Sequence, residues 1–87
     1  MFKVQKKNGQ LEDFERNKIV NGLLKSGATE NEAEEIATEV ENWLPTVAEN
    51  GIVKTADIRI KVLEVLRNIN PLAADNFENY QKPVPVE

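Results

Sequence analysis

The sequence predicts an α+β domain, mostly α, in which an N-terminal β-hairpin packs on a four-helix cluster. Three observations support this prediction. An Asn-Gly pair separates two short β-prone runs near the N-terminus, four later segments carry apolar residues at helical spacing, and capping or helix-breaking residues separate those segments. Because the chain has 87 residues, it has room for one small domain with one core.

The composition excludes several classes of protein. Apolar residues make up 40% and charged residues 30% of the chain, as in ordinary soluble domains. The chain has no Cys and no His, which excludes disulfides, zinc sites built from those residues, thiol nucleophiles and imidazole catalysis. No apolar run is long enough to cross a bilayer, and lysines interrupt the N-terminus where a signal peptide would be apolar. We therefore expect a cytoplasmic protein without membrane association, and not an enzyme.

Charge is distributed unevenly along the chain, whose net charge is −4. Residues 1–27 hold six Lys or Arg and three acidic residues, whereas residues 28–50 hold seven Glu and no basic residue. The acidic average argues against direct binding of duplex nucleic acid, which requires a basic face. The basic N-terminal third indicates a small local anion site instead.

The first predicted element is a two-stranded antiparallel ribbon formed by residues 2–7 and 10–14. The pair Asn8-Gly9 between them predicts a type I′ turn, which requires positive φ at both central residues. A lone hairpin is marginally stable in water, so this one is expected to pack on helices. Its apolar members are Phe2, Val4, Leu11 and Phe14.

The first two helices have recognisable ends. The first is predicted from Arg16 to Ser26, with Gly27 as the residue that follows its C-cap. The second is predicted to begin after Thr29, which forms a capping box with Glu32. It is expected to end at Pro45, since proline removes a helix hydrogen bond and clashes with the preceding turn.

Residues 45–54 are predicted to form a loop, after which two further helices follow. The third helix is expected to begin at Thr55 as N-cap and to run to about Asn68, and the fourth begins at Asn70 as N-cap with Pro71 at its first position. Residues 83–87 are expected to form an extended tail or the start of a linker. The predicted buried faces comprise Ile19, Val20, Leu23 and Leu24 in the first helix; Ala33, Ile36, Ala37, Val40, Trp43 and Leu44 in the second; Ile58, Val62, Leu63, Leu66 and Ile69 in the third; and Leu72, Ala73, Phe77 and Tyr80 in the fourth.

Lysines around the hairpin form the candidate anion site. Lys6 and Lys7 flank the turn and Lys18 lies near the start of the first helix, so the three ammonium groups can converge on one anion; the alternative is that they only solubilise the surface. The first turn of the third helix offers free N–H groups beside Thr55, with Arg59 one turn further on the same face. Glutamates of the second helix are interpreted as a solvated face, with a carboxylate metal site or a partner surface as alternatives.

Four stretches of the chain together resemble the ATP-cone. This is the small regulatory nucleotide-binding domain at the N-terminus of many ribonucleotide reductases, and it also occurs in a bacterial repressor of reductase genes. The resemblance spans residues 3–80, and it places the ATP-cone-like domain at residues 1–82. The matching stretches are Val4-x-Lys6-Lys7-Asn8-Gly9-x-x-Glu12-x-Phe14-x-x-x-Lys18-Ile19, Ala33-x-x-Ile36-Ala37, Thr55-x-x-Ile58 and Ala73-Ala74-x-x-Phe77-x-x-Tyr80.

The resemblance implies a function and a set of site residues. The domain is expected to bind ATP or dATP with Mg²⁺ and to control an attached catalytic domain or a protein partner such as a ribonucleotide reductase. The implied roles are phosphate binding by Lys6, Lys7 and Lys18, closure of the phosphate side by Thr55 and Arg59, contact with the base or sugar by Val4 and Ile58, and proximity to the base for Glu12 and Glu15.

The chain departs from the family pattern in two places. Glu15 replaces the usual Asp or Asn before the first helix, and only Lys82 remains of a basic stretch that often follows Tyr80. One alternative is a degenerate cone that acts as a helical protein–protein interaction module through its acidic second helix. Another is a nucleic-acid-associated domain, by analogy with the repressor. The choice between ATP and dATP, and between an excised and a free-standing domain, stays open.

Overall fold

A three-stranded sheet and four helices build the domain, which confirms the mostly helical α+β class. The computed structural model describes residues 2–81, with side chains to Asn79, so the predictions for the Tyr80 side chain and for residues 82–87 lie outside the described residues. Within that range no helix combines the length and apolarity needed to cross a membrane. The elements are β1 (Lys3–Gln5), β2 (Leu11–Asp13), α1 (Arg16–Lys25), α2 (Glu30–Val47), β3 (Ile52–Lys54), α3 (Thr55–Ile69) and α4 (Pro71–Gln81).

The central strand of the sheet is β1, with antiparallel β2 on one side and parallel β3 on the other. The predicted loop over residues 45–54 is therefore wrong, because its last three residues form β3. A left-handed pair, Asn50 at φ 55° and Gly51 at φ 77°, turns the chain into this strand, and the Lys3 N–H donates to the Gly51 carbonyl at 2.7 Å. A strand of three residues is too short to show an alternation of apolar and polar residues, and it forms only by pairing with a segment distant in sequence. The sequence pattern therefore could not reveal it.

The hairpin has a different turn from the one predicted. The Gly9 N–H donates to the Lys6 carbonyl at 2.9 Å, and the Lys6 N–H donates to the Gln10 carbonyl at 2.8 Å. Of the turn residues only Gly9 has positive φ, at 89°, so the predicted type I′ turn is wrong. The three-residue loop instead ends in a left-handed glycine, a common alternative that an Asn-Gly pair also suits. The Asn8 side chain accepts a hydrogen bond from the Gln10 N–H at 3.0 Å, which stabilises this loop.

Two predicted helix ends are confirmed: the C-terminus of α1 before Gly27 and the N-terminus of α2 after Thr29. At Gly27, φ is 104°, and the N–H groups of Gly27 and Ala28 donate to the carbonyls of Leu24 and Leu23 at 3.1 Å, as a Schellman motif requires. The capping box of Thr29 and Glu32 is present, with hydrogen bonds of 3.1 and 2.9 Å.

Two predicted helix boundaries are wrong. Helix α2 continues through Pro45 to Val47, because a proline removes only its own hydrogen bond and the following Ala48 N–H still donates to the Leu44 carbonyl at 2.9 Å. Thr55 is the first residue of α3 and not its N-cap; Lys54 occupies the cap position without a side-chain cap bond. The Thr55 hydroxyl is used elsewhere, since it donates to the Gln5 carbonyl at 3.1 Å.

The core lies between the four helices and one face of the sheet. The predicted faces of α2 and α3 are buried or partly buried, whereas two residues predicted to be buried are exposed: Leu24 in α1 and Leu72 in α4, the latter with 77% of its surface accessible. Leu11, an apolar residue of β2, is also exposed. In α4, Ala73, Ala74 and Phe77 face the core, which turns Leu72 toward solvent. The buried hydrophobic residues are Val20, Leu23, Ala28, Ala33, Ile36, Ala37, Val40, Leu44, Val53, Ile58, Val62, Val65, Leu66, Ala73, Ala74 and Phe77.

Candidate functional site between the hairpin and helix α3

A pocket of about 270 Å³ lies under the hairpin, and we call it the hairpin pocket. All the candidate site residues except Lys7 line it, so the fold brings together residues from β1, β2, α1 and α3 that are far apart in sequence. Its lining residues are Val4, Lys6, Glu12, Asp13, Phe14, Glu15, Lys18, Ile19, Thr55, Ile58, Arg59, Val62 and Phe77.

The wall of the hairpin pocket is mostly apolar. Ile58 and Val62 come from successive turns of α3, and Phe77 comes from α4; all three belong to the buried core. Val4 on β1 is half-buried and packs against the same core. Six charged residues also line the pocket, and an apolar wall combined with polar groups that can orient a ligand is typical of a site for a small organic molecule.

A carboxylate joins two of the candidate lysines at the edge of this pocket. The Lys6 ammonium lies 2.7 Å from one oxygen of Glu12, and the Lys18 ammonium lies 2.8 Å from the other. Hydrogen bonds from Lys18 and Lys6 lower the pKa of Glu12 to about 2, and the same contact raises the pKa of Lys18. Lys6 and Lys18 therefore do converge, but on a carboxylate of the chain itself, and Lys7 does not line this pocket.

A larger cleft of about 690 Å³ lies beside the hairpin pocket, and we call it the basic groove. Four basic side chains line it and, among the described residues, no carboxylate does. Lys6, Thr55 and Arg59 line both cavities, so the two adjoin. The lining residues of the groove are Gln5, Lys6, Lys7, Gly9, Lys54, Thr55, Ala56, Arg59 and Ile60.

Thr55 and Arg59 fix the wall that the two cavities share. The bond from the Thr55 hydroxyl to the Gln5 carbonyl fastens the start of α3 to the central strand. The guanidinium of Arg59 donates to the main-chain carbonyl of Glu78 in α4 at 3.1 Å, while its buried Nε has no hydrogen-bond partner among the described residues. A ligand acceptor at that nitrogen would satisfy a donor that is otherwise costly to bury.

Sequence reasoning missed Lys54 as a residue of the site. A positive side chain at the N-terminal end of a helix opposes the helix dipole, whereas Asp, Ser, Thr or Asn are favoured at that position. This electrostatic mismatch at Lys54 was the available signal. Ala56 and Gln5, which also line the groove, carried none, because their side chains have no charge that the pattern could single out.

The acidic second helix behaves largely as the sequence predicted. Most of its glutamates are exposed, and Arg16 of α1 forms ion pairs with Glu34 and Glu41 across the α1–α2 contact. Within residues 2–81 no group of three or more acidic side chains is placed to hold a metal ion.

Comparison with known proteins bears on the whole domain. A protein-family model described as "ATP cone domain" matches residues 2–82. The chain is also similar to an uncharacterized protein of Archaeoglobus fulgidus, with 45% identity over 40 residues that make up 46% of this chain and 85% of that protein. The family match covers both strands of the hairpin and every helix that lines the two cavities.

Proposed function

The chain belongs to the ATP-cone family of regulatory nucleotide-binding modules, and on that premise we propose that it binds ATP or dATP and so controls an attached or partner protein. The nucleoside lies in the hairpin pocket and the phosphates extend into the basic groove. The observation that carries this proposal is the adjacency of an apolar pocket and a carboxylate-free basic cleft through Lys6, Thr55 and Arg59.

The nucleoside half of the proposal rests on the pocket wall. Val4, Ile58 and Phe77 offer apolar contact to a base or a sugar. Glu12 and Glu15 at the pocket edge supply acceptors for an amino group, and the two lysines that lower the pKa of Glu12 to about 2 keep this carboxylate charged even in acidic solution. A base with an exocyclic amino group, as in adenine, fits these acceptors.

The basic residues that line the groove support the proposal that the phosphates lie there. A triphosphate carries about four negative charges, and ammonium and guanidinium groups bind phosphate oxygens through charge-assisted hydrogen bonds. The groove presents Lys6, Lys7, Lys54 and Arg59, and the first turn of α3 adds N–H groups beside Thr55. A Mg²⁺ ion bound with the nucleotide would be held chiefly by the phosphate oxygens and would neutralise part of their charge.

Regulation requires that the two nucleotides favour different states of the controlled protein. A coupling free energy of about 1–3 kcal/mol is typical of such switches. The proposed target is a catalytic domain or partner such as a ribonucleotide reductase, in the cytoplasm. The bond from Arg59 to the Glu78 carbonyl supplies a direct contact between the site and α4, through which occupancy can be sensed.

Isothermal titration of the full chain with ATP and then dATP, both with Mg²⁺, tests the proposal. The variant Lys6→Ala/Lys7→Ala removes two basic groups at the hairpin. Its matched control is Lys25→Ala/Lys61→Ala, which removes the same charge from positions that line neither cavity. We expect micromolar binding by the wild type and the control, and a loss of about a hundredfold or more in the hairpin variant, since two charged hydrogen bonds are worth about 3 kcal/mol or more.

Three results would contradict this proposal in different ways. Equal losses in both variants would mean that net charge, and not the hairpin, governs binding. Unchanged affinity in the hairpin variant would place the phosphates elsewhere. Absence of binding by the wild type would overturn nucleotide binding and favour a helical interaction module.

A further inference from the structure

Lys54 is a basic residue of the groove to which neither the sequence pattern nor the family match gave a role. It is exposed, it lines the groove together with Lys7, and within residues 2–81 neither of these two lysines makes an ion pair or a side-chain hydrogen bond. Lys6, by contrast, is already paired with Glu12. Lys7 and Lys54 are therefore the ammonium groups most available to a new anion.

We propose that Lys54 binds the terminal phosphate of the nucleotide in the basic groove and thereby makes affinity depend on the number of phosphates. This inference rests on the proposed function, because it assigns the phosphate end of the same ligand. According to this inference, Lys54 is the residue that makes the site favour a nucleoside triphosphate over nucleotides with fewer phosphates.

The charges of the two cavities support this assignment. The hairpin pocket has three basic residues, Lys6, Lys18 and Arg59, and these are balanced by three acidic residues, Glu12, Asp13 and Glu15. The groove has four basic residues and, among the described residues, no acidic one. A chain of phosphates that leaves the hairpin pocket therefore gains the most electrostatic attraction at the far side of the groove, where Lys7 and Lys54 stand.

The sheet holds Lys54 at a fixed place relative to the hairpin. In the parallel pair of β1 and β3, Lys54 is in register with Gln5, which directly precedes Lys6. Neighbouring strands lie about 4.8 Å apart, so the backbone at Lys54 is one strand away from the residues that open the turn. Because strand pairing fixes the backbone at Lys54, only its side chain loses conformational freedom when it binds a ligand, which limits the entropy lost on binding.

A purely structural role for Lys54 is disfavoured by its position. It occupies the N-cap of α3 without a side-chain cap bond, and its positive charge opposes the helix dipole there. Replacing it should therefore leave stability unchanged or improve it slightly. An effect on ligand affinity without a loss of stability separates a binding role from a structural one.

The experiment compares ATP, ADP and AMP by calorimetry on the wild type, Lys54→Ala and Lys54→Arg, with inorganic tripolyphosphate as a ligand that lacks the nucleoside. Lys61→Ala is the matched control, because it removes a lysine of α3 that lines neither cavity. We expect Lys54→Ala to weaken ATP and tripolyphosphate about fivefold to tenfold and AMP less than twofold. Lys54→Arg keeps the charge and should restore most of the difference.

The outcomes distinguish this inference from the proposed function. Suppose that the wild type binds ATP. If Lys54→Ala then has the wild-type affinity for all three nucleotides, or loses affinity for all three by the same factor, the inference is wrong and the proposed function stands. If the wild type binds tripolyphosphate but not ATP, the proposed function is wrong, and the assignment of Lys54 to a nucleotide phosphate is wrong with it. If the wild type binds neither, both are overturned.

Discussion

At the scale of single residues, Glu12 holds two lysines of the hairpin pocket close together. Its two carboxylate oxygens hold the ammonium groups of Lys6 and Lys18, which come from different elements of the fold. The carboxylate therefore links the hairpin to α1 while it remains at the edge of the cavity. Two lysines that would repel each other in an empty site are kept close together, so the pocket is arranged before any ligand arrives.

The same contact makes stability depend on acid pH. Because the folded pKa of Glu12, about 2, lies below its ordinary value of 4.5, its contribution to stability is fully present above about pH 4.5 and disappears as pH falls through 2. We expect Glu12→Gln to have a lower thermal unfolding midpoint than the wild type at neutral pH. The difference between the two unfolding midpoints should decrease steadily from pH 4.5 to pH 2. Thermal unfolding followed by circular dichroism over that range measures this difference.

A matched variant distinguishes this contact from a general effect of charge. Glu39→Gln removes one carboxylate from the exposed face of α2, away from both cavities. We expect its midpoint to follow that of the wild type across the titration. A gap between Glu12→Gln and the wild type that stays constant with pH would contradict the proposed contribution of the carboxylate.

The hairpin motif singled out candidate residues that lie close to one another in the structure. The hairpin pattern brought Lys6, Glu12 and Lys18 into consideration, and the structure places all three in one pocket. The pattern could not show that the two lysines share Glu12 rather than a vacant position, because side-chain pairing across elements depends on how the hairpin packs against α1. Lys54 was missed for the same reason, since its place in the groove follows from β3.

Helix termini are coupled to one another at the scale of elements. The Asn70 side chain accepts a hydrogen bond from the Ala73 N–H at 3.1 Å, which is the N-cap that the sequence predicted for α4. The same side chain donates to Glu32 at 3.2 Å, and that glutamate belongs to the capping box of α2. One amide therefore stabilises the starts of two helices that are distant in sequence.

Replacement of this amide should cost more than an ordinary cap. We expect Asn70→Ala to lower the free energy of unfolding by about 1–2 kcal/mol, because the variant loses the N-cap and the partner of Glu32 together. Asn68→Ala, an exposed position in the last turn of α3, is the control and should change stability by less than about 0.5 kcal/mol. Urea unfolding of both variants measures the difference, and equal midpoints would show that the cap contributes nothing.

The elements themselves could be predicted to different degrees. Helices α1 to α4 follow from apolar residues at helical spacing and from caps such as Gly27 and the Thr29–Glu32 box, which are local signals. Strand β3 could not be predicted, since three residues carry no period and their hydrogen bonds go to β1. The end of α2 was misjudged because Pro45 weakens a helix locally, while packing of the preceding turns against the core decides where it stops.

The site is a property of the whole molecule, because its walls come from both strands of the hairpin and from three helices. No continuous stretch of the chain contains more than part of it: Val4, Ile58 and Phe77 meet only once the sheet, α3 and α4 are packed. An unfolded chain therefore has no comparable site. A nucleotide that binds here binds the folded state alone, and binding must raise stability by mass action.

This linkage gives a prediction for the intact domain. At ATP concentrations about 100 times the dissociation constant, the free energy of unfolding should rise by about 2.7 kcal/mol. For a domain of this size that increase corresponds to an upward shift of roughly 10–20 °C in the unfolding midpoint. Thermal unfolding with ATP and Mg²⁺ measures the shift in the wild type and in Lys6→Ala/Lys7→Ala. In the variant the same ATP concentration should produce a much smaller shift, and the midpoint without nucleotide reports any loss of fold. Equal shifts in both proteins would mean that ATP stabilises the domain without the hairpin lysines, which would contradict their proposed role in binding the phosphates.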